Sequence, residues 1–193
     1  MNRSPGVFLL IGLNIVCYLL EKSGGDAFMA RYALMPLDQG FAPWQVITYA
    51  FLHGSESHIF FNMFGLWMFG RDLEFVFGTP RFLAIYFSSV LAAAFTQIVV
   101  AVLMNNPEPT IGASGGVFGI LLTFAVLFPR RTIVLLIPPI PMPAWLFVTL
   151  YGLAELVMGV TGTEAGVAHF AHLGGMLGAA LMLVLLRAQR RIE

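Results

Sequence analysis

The chain has 193 residues, of which 59% are hydrophobic and only 10% are charged, and its mean hydropathy is +0.86. This composition lies far from that of a soluble domain and predicts a protein whose solvent is the lipid bilayer. The formal net charge is zero, which excludes the basic surface of a nucleic-acid-binding protein. The single cysteine, Cys17, excludes an intrachain disulfide framework and a cysteine-cluster metal site.

Six apolar runs of helical length follow one another along the chain, separated by polar or helix-breaking clusters. We therefore expect an all-α polytopic membrane protein, a single domain over residues 1–193 in which six transmembrane helices form a bundle. The first run follows Arg3 and is short, so a signal peptide is an alternative, although no small-x-small cleavage site follows it cleanly. The expected helices cover residues 5–20, 57–77, 82–104, 114–128, 144–160 and 168–187.

The distribution of Lys and Arg predicts the orientation of the bundle. If the N-terminus is inside, eight basic residues lie on the inner side and two on the outer side. We therefore expect a multi-pass protein of a bacterial inner (cell) membrane, with both termini in the cytoplasm. The inner residues are Arg3, Arg71, Arg81, Arg130, Arg131, Arg187, Arg190 and Arg191, and the outer ones are Lys22 and Arg31.

Two connections between the spans have unusual compositions. Residues 21–56 form a long outer loop, and its apolar residues, among them Trp44, predict that it lies in the membrane interface. Residues 132–143 contain four prolines, so this inner connection cannot be helical throughout.

Polar side chains are rare inside the predicted spans, and in a membrane such residues mark candidate functional sites. His58 and Asn62 lie four residues apart, on one face at the start of the second span. Ser114 opens the fourth span, and His169 and His172 lie near the start of the sixth. Because successive spans alternate in direction, these ends all face the outer side, where the polar groups converge at one depth.

The fourth span is too short to cross the bilayer. It has about 15 residues, which at about 1.5 Å each extend over roughly 22 Å, whereas the hydrocarbon core of a bilayer is about 30 Å thick. Because Arg130 and Arg131 anchor its inner end, we expect Ser114 to lie below the outer surface, at the floor of a polar cavity that holds water.

Glycines on the fourth and sixth spans predict that these two helices approach closely. Gly115 and Gly119 are four residues apart, as are Gly175 and Ala179, and this small-xxx-small spacing is typical of membrane helix contacts. Close approach would bring the Ser114 hydroxyl within hydrogen-bond reach of an imidazole on the sixth span.

An imidazole that takes the proton of Ser114 makes this hydroxyl a nucleophile toward a peptide carbonyl. Spacing alone does not choose between His169 and His172 as that base, although His172 shares a helical face with Gly175. Backbone N–H groups at the start of the fourth span, together with Asn62 and His58, are candidates for stabilising the oxyanion.

Two other interpretations of the same residues remain open. A Gly-x-Ser-Gly sequence is often only a packing element between membrane helices. His58, His169 and His172 are also a candidate metal set, although only Glu155 or Glu164 is available to join them at that depth.

A series of short motifs runs in order along nearly the whole chain. In this order and spacing they resemble the rhomboid family of intramembrane serine proteases, in its minimal six-helix bacterial form. The motifs are Trp44-Gln45-Val46-Ile47-Thr48, Phe51-Leu52-His53, His58-Ile59-Phe60-Phe61-Asn62, Gly70 with Glu74, Gly112-Ala113-Ser114-Gly115 and Ala171-His172-Leu173-Gly174-Gly175.

The resemblance implies a serine–histidine dyad without an acidic third member, in which Ser114 is the nucleophile and His172 the base. It implies an oxyanion hole formed by His58, Asn62 and the backbone at Ser114 and Ala113. The implied reaction is cleavage, through an acyl-enzyme and without metal or cofactor, of single-pass transmembrane proteins near the outer end of their helix. The implied partners are these substrates and the lipid bilayer. The oligomeric state is not predicted.

Two residues depart from a well-known version of the motif. Phe118 stands where a tyrosine can stack under the histidine, and we expect it to pack against the imidazole without adding a hydrogen bond. Gln45 stands where an arginine can pair with the glutamate that matches Glu74, and we expect Glu74 to cap or brace the inner end of the second span. For Glu155 we expect a structural hydrogen bond to a neighbouring helix.

Two further function classes remain as alternatives. An inactive rhomboid-like protein that binds membrane clients would keep the fold but normally lacks the serine or the histidine. A small transporter or channel predicts a polar path to both surfaces, and the inner halves of these spans carry no matching polar series.

Overall fold

The computed structural model describes residues 4–105, 107–135, 138–163 and 167–189. Of the residues discussed above, Arg3, Glu164, Arg190 and Arg191 lie outside these ranges. The described chain forms an all-α polytopic bundle, as the sequence predicts, with a small hairpin and a 3₁₀ turn at Tyr49–Phe51 between helices. The elements are α1 (Pro5–Tyr32), α2 (Gln45–Thr48), α3 (Glu56–Phe77), α4 (Thr79–Met104), α5 (Ser114–Leu127), β1 (Thr132–Val134), β2 (Pro141–Pro143), α6 (Ala144–Thr161) and α7 (His169–Gln189).

Among the described residues, the helices α1, α4, α6 and α7 are long and apolar enough to cross a membrane. Helix α3 has 22 residues but carries charged residues, including Arg71 and Asp72, in its last two turns. Many large apolar side chains, such as Phe75, Phe95 and Leu103, are exposed on the outside of the bundle. Such a surface is typical of a protein that faces lipid.

Helix α1 ends later than the sequence predicts. The sequence predicts a first helix over residues 5–20, before the helix-breaking Ser23-Gly24-Gly25, but the helix continues to Tyr32 across a kink. Gly25 forms this kink with φ 55° and ψ −146°, a conformation that a side chain would disfavour. The predicted outer loop therefore shrinks to residues 33–55, and α2 and the 3₁₀ turn fold within it.

The strands β1 and β2 form a two-stranded antiparallel sheet in which Thr132 pairs with Pro143 and Val134 with Pro141. The non-helical prediction for this segment is confirmed, whereas the strand pairing was not predicted. Proline is tolerated because each strand of a two-stranded sheet has a free edge that needs no N–H donor.

The close approach of α5 and α7 is confirmed. A Cβ added at Gly175 would overlap the carbonyl oxygen of Gly115, and one added at Gly119 would overlap the Ser89 hydroxyl of α4. Ala179 is fully buried. Three helices thus meet with their backbones nearly in contact, and only small residues fit between them.

Helix α5 has 14 residues and therefore a length of about 21 Å, so it spans only part of a bilayer. The segment before it is tied into the bundle, because Thr110 and Leu34 exchange two backbone hydrogen bonds of 2.9 and 3.0 Å. The N–H of Gly112 donates to the Tyr49 carbonyl at 2.9 Å. These bonds set the position of the first residue of α5, Ser114.

The other end of α5 leads into an ion pair in which Arg131 lies 2.7 Å from Asp72 of α3. Nearby, Arg81 of α4 and Arg187 of α7 line a common small cavity with Leu127. The ends of four helices therefore meet on one side of the bundle, called here the arginine-rich side, and Ser114 lies toward the opposite side.

Candidate active site

The start of α5 and the start of α7 bring a hydroxyl and an imidazole into contact. Ser114 Oγ lies 2.7 Å from His172 Nε2, the separation of a short hydrogen bond. His172 is buried, with 9% of its surface exposed. Of the two histidines that spacing left open as the partner of Ser114, the structure places His172 there.

The imidazole of His172 is stacked on the ring of Phe118. Their centroids are 4.2 Å apart and their planes differ by 6°. Tyr151 of α6 also packs against this phenylalanine, with 4.9 Å between the ring centroids. The predicted packing of Phe118 on the imidazole is therefore confirmed, and it restricts the tilt of the ring.

His172 uses its second nitrogen to contact a carboxylate. Its Nδ1 lies 2.9 Å from Glu155 Oε2, and His169 Nδ1 lies 2.7 Å from the same oxygen. His169 Nε2 in turn lies 3.0 Å from the carbonyl oxygen of Thr163. The structural hydrogen bond expected for Glu155 exists, but it goes to the histidine that contacts Ser114, so the dyad acquires an acidic neighbour that the resemblance did not imply.

The other predicted site residues of α3 lie beside Ser114. A Cβ built on Gly112 would lie 2.8 Å from His58 Nε2 and 3.5 Å from Ser114 Oγ, so these two atoms flank the same small space. Asn62 is buried, and its Nδ2 donates one hydrogen bond of 3.1 Å to the His58 carbonyl. The second N–H of this amide is not used in that bond.

The backbone at the start of α5 supplies further donors. Helical hydrogen bonding of this helix begins with the bond of 3.0 Å from Val117 N–H to the Ala113 carbonyl. The N–H groups that precede Val117, including that of Ser114, therefore have no acceptor inside the helix. Ala113, which the sequence analysis also placed in the oxyanion hole, is the fully buried cap residue of α5.

These groups line one cavity of about 910 Å³. Its polar residues include His58, Asn62, Ser114 and His172, so the predicted convergence of these four side chains is confirmed, whereas His169, which was expected with them, lies behind His172 against Glu155. Helix α3 contributes Phe61, Phe64 and Met68 to its walls, and α6 contributes Phe147 and Tyr151. The cavity thus combines these polar groups with apolar walls to which α3 and α6 contribute.

Glu155, His169 and His172 also offer three possible metal ligands within 4.8 Å of one another. This set differs from the one considered above, because Glu155 replaces His58. Each of its ligand atoms already has a hydrogen-bond partner within the protein, which suits a proton-linked network as well as it suits a metal.

Glu155 is the residue whose contact sequence reasoning missed. The available signal was a single carboxylate inside an otherwise apolar span, which marks a functional candidate. Its partner depends on the rotation of α6 about its own axis. The side chains of α6 are apolar on nearly all sides, so their pattern does not fix that rotation.

Glu74 has the bracing role expected of it. Its carboxylate accepts hydrogen bonds from Gly6 N–H at 2.8 Å, from Val7 N–H at 2.9 Å and from the Thr79 hydroxyl at 2.6 Å. It therefore caps the first turn of α1 and holds it to the end of α3.

The fold and the site together define a polytopic membrane protein with a serine–histidine pair inside its helical bundle. The family model described as the Rhomboid domain matches residues 41–189 of the chain. The chain belongs to the rhomboid family, which includes intramembrane proteases.

Three relatives illustrate the similarity. Rhomboid protein 1, mitochondrial, of Saccharomyces cerevisiae is 30% identical over 181 residues, covering 91% of this chain and 51% of the yeast protein. Rhomboid protease GluP of Bacillus subtilis is 31% identical, covering 89% of this chain and 32% of that protein. RHOMBOID-like protein 12, mitochondrial, of Arabidopsis thaliana is 30% identical, covering 94% of this chain and 58% of that protein. The chain thus spans between about a third and three fifths of the length of these relatives.

The comparisons contradict the bacterial inner membrane that the sequence analysis predicted. The yeast and Arabidopsis relatives are named mitochondrial, as are further relatives from zebrafish and Arabidopsis. They point to a mitochondrial membrane instead. The prediction failed because apolar runs indicate only that a chain spans a bilayer, and the asymmetry of arginines indicates only which end of each helix lies on which side. Neither feature identifies the membrane.

Proposed function

We propose that the protein is an intramembrane serine endopeptidase that cleaves transmembrane segments through an acyl-enzyme, with Ser114 as nucleophile and His172 as base. The contact of 2.7 Å between Ser114 Oγ and His172 Nε2 carries this proposal. An isolated serine hydroxyl is a weak nucleophile, and a hydrogen-bonded imidazole is the group that activates it.

In the first half of the reaction, Ser114 Oγ attacks the carbon of the scissile carbonyl while its proton passes to His172 Nε2. The tetrahedral intermediate then collapses, the carbon–nitrogen bond breaks, and the same proton goes to the leaving amine. In the second half, His172 takes a proton from water, and the hydroxide formed attacks the ester. Collapse of that intermediate returns the proton to Ser114 and releases the new carboxyl end.

The oxyanion of both intermediates needs hydrogen-bond donors at a fixed position. His58 Nε2 and Ser114 Oγ flank the same space at Gly112. Asn62 retains one amide N–H, and the backbone N–H groups of the cap residue Ala113 and of Ser114 have no acceptor inside α5. We assign the oxyanion hole to these four residues.

The cavity indicates the class of substrate. Its apolar walls, to which α3 and α6 contribute, suit an apolar peptide segment, and the same cavity contains Ser114 and His172. A single-pass transmembrane protein supplies such an apolar segment. The cut then falls near one end of its helix, on the side of the bundle opposite the arginine-rich side. Small or helix-breaking residues there would let the peptide unwind to reach Ser114.

The test uses the full chain purified in detergent, a reporter protein with one transmembrane segment and a serine-directed fluorophosphonate. We expect the wild type to cleave the reporter and to be labelled, with the label mapping to Ser114. Ser114→Ala is expected to abolish both activities, and His172→Ala to do the same, with little change in expression or thermal stability. A wild-type protein that neither cleaves nor reacts would instead support the inactive, client-binding alternative.

A further inference from the structure

We propose that Glu155 is a positioning residue of this site, which sets the tautomer of His172 and holds the ring toward Ser114, so that the pair works as a serine–histidine–glutamate triad. This inference rests on the proposed function, because it assigns a role to a residue that acts through the base. Glu155 Oε2, the His172 ring and Ser114 Oγ form one chain with contacts of 2.9 and 2.7 Å.

The hydrogen-bond partners determine where the protons lie. The Thr163 carbonyl is only an acceptor, so His169 Nε2, 3.0 Å away, must carry a hydrogen. His169 Nδ1 and Glu155 Oε2, which are 2.7 Å apart, then share one proton. Whether this proton rests on the ring or on the carboxyl, Oε2 keeps a lone pair for a second donor.

His172 Nδ1 is that second donor. In the neutral ring a hydrogen on Nδ1 leaves a lone pair on Nε2, and this nitrogen faces Ser114 Oγ. The opposite assignment would need a protonated Glu155 that donates to His172 Nδ1, together with a doubly protonated His169. That arrangement leaves an uncompensated positive charge among three buried residues, which is costly. The network therefore favours the tautomer of His172 that acts as a base.

The orientation of the His172 ring, as well as its tautomer, depends on the contact with Glu155. Phe118 restricts the tilt of the His172 ring by stacking on its face, but a phenyl ring offers no hydrogen bond that would fix rotation within the plane. The bond from Nδ1 to Glu155 fixes this rotation and directs Nε2 to the hydroxyl. In addition, when His172 takes the serine proton, its positive charge lies 2.9 Å from the carboxyl group.

A matched control exists in the same chain. Glu74 is as buried as Glu155, with 3% of each exposed, and its carboxylate likewise accepts hydrogen bonds from neighbouring helices. Its partners lie at the arginine-rich side, so Glu74→Gln reports the cost of losing a buried structural carboxylate without touching the base.

The first experiment measures the tautomer directly and does not depend on cleavage. The full chain, labelled with ¹⁵N in its histidine rings, is studied by NMR in detergent, and the signals of its four histidines are assigned by single substitutions. We expect His172 to carry its hydrogen on Nδ1 in the wild type and in Glu74→Gln, and to lose this preference in Glu155→Gln. A wild-type His172 with its hydrogen on Nε2 would overturn the inference even if the enzyme proves active.

The second experiment compares kcat and KM on the transmembrane reporter at matched amounts of folded protein. For Glu155→Gln we expect kcat to fall about 10²- to 10⁴-fold, as when a triad loses its acidic member, while KM changes about threefold or less. For Glu74→Gln we expect lower thermal stability with kcat and KM close to wild type. An active wild type with an equally active Glu155→Gln would refute the role of Glu155 and leave the proposed function standing.

A chelator distinguishes the triad from a metal site built on the same three side chains. We expect prolonged treatment with EDTA to leave both wild-type cleavage and the His172 ring signals unchanged. Loss of activity that zinc restores would overturn the inference, because a metal ion on Nδ1 would then replace the proton on which it rests.

Discussion

The backbone carbonyl of Gly115 occupies the space in which any side chain on Gly175 would have to begin. Helices α5 and α7 therefore pack backbone against backbone, and their first turns carry Ser114 and His172. The distance between the hydroxyl and the imidazole thus depends on a contact that lies outside the chemistry itself. The absence of a side chain at residue 175 is as necessary for the site as the presence of the two polar groups.

Gly175→Ala is predicted to separate the two helices and to impair both folding and catalysis. Overpacking of this kind costs about 1–3 kcal/mol, and a shift of the helices also lengthens the contact from Ser114 to His172. We expect a lower melting temperature in detergent and a large fall in the rate of fluorophosphonate labelling. Gly12→Ala is the control, because a Cβ added on α1 at that residue meets nothing within 4 Å. Equal behaviour of the two variants would contradict the packing argument.

The proximity of Ser114 to an imidazole of α7 could be predicted from the sequence, because alternating spans and a short fourth helix leave few other arrangements. The choice of His172 over His169 came from the resemblance to the rhomboid family, and the structure confirms it. The contacts of Glu155 could not be predicted, since this residue lies 17 positions before His172 on a different helix. Packing decides which residues of α6 face inward. Because the side chains of this helix are apolar on nearly all sides, the sequence does not predict that orientation. The predicted end of α1 was wrong for a similar reason. A glycine such as Gly25 can either end a helix or only kink it, and the sequence does not show which.

Asn62→Ala is predicted to reduce activity without abolishing it. Its amide is one of several donors assigned to the oxyanion, and loss of one such donor lowers kcat by on the order of 10- to 10³-fold. The measurement is kcat on the transmembrane reporter, together with the labelling rate at Ser114. Unchanged kcat would remove Asn62 from the oxyanion hole and leave its bond to the His58 carbonyl as a structural contact.

Gly112→Ala is predicted to damage the site for two separable reasons. The residue has φ 126°, which disfavours any side chain, and a Cβ there would lie 2.8 Å from His58 Nε2. Gly40→Ala is the matched control, since Gly40 has φ 93° but open space around the added Cβ. We expect both variants to lose stability through backbone strain, whereas only Gly112→Ala loses most of its reporter cleavage at equal folded protein. Full activity of Gly112→Ala would show that His58 can move aside and is not held at the position assigned to it.

The stability of the fold is predicted to decrease in acid, in part because of His53, which lies in the loop before α3. Burial, followed by the nearby imidazole of His58 at 4.9 Å between centroids, lowers the pKa of His53 from its ordinary 6.5 to about 3. Between these two values the unfolded chain binds a proton at His53 that the folded chain does not, so the free energy of unfolding falls as the pH falls from about 6.5 toward 3. Above pH of about 6.5 both forms are neutral and the effect is absent. Melting temperatures at about pH 7.5 and about pH 4.5 are therefore expected to differ more in the wild type than in His53→Gln, which has no proton to gain. Groups that do not contact His53 titrate in both proteins, so an equal decrease in the two would show that the His53 ring is already charged, or reached by water, in the folded state.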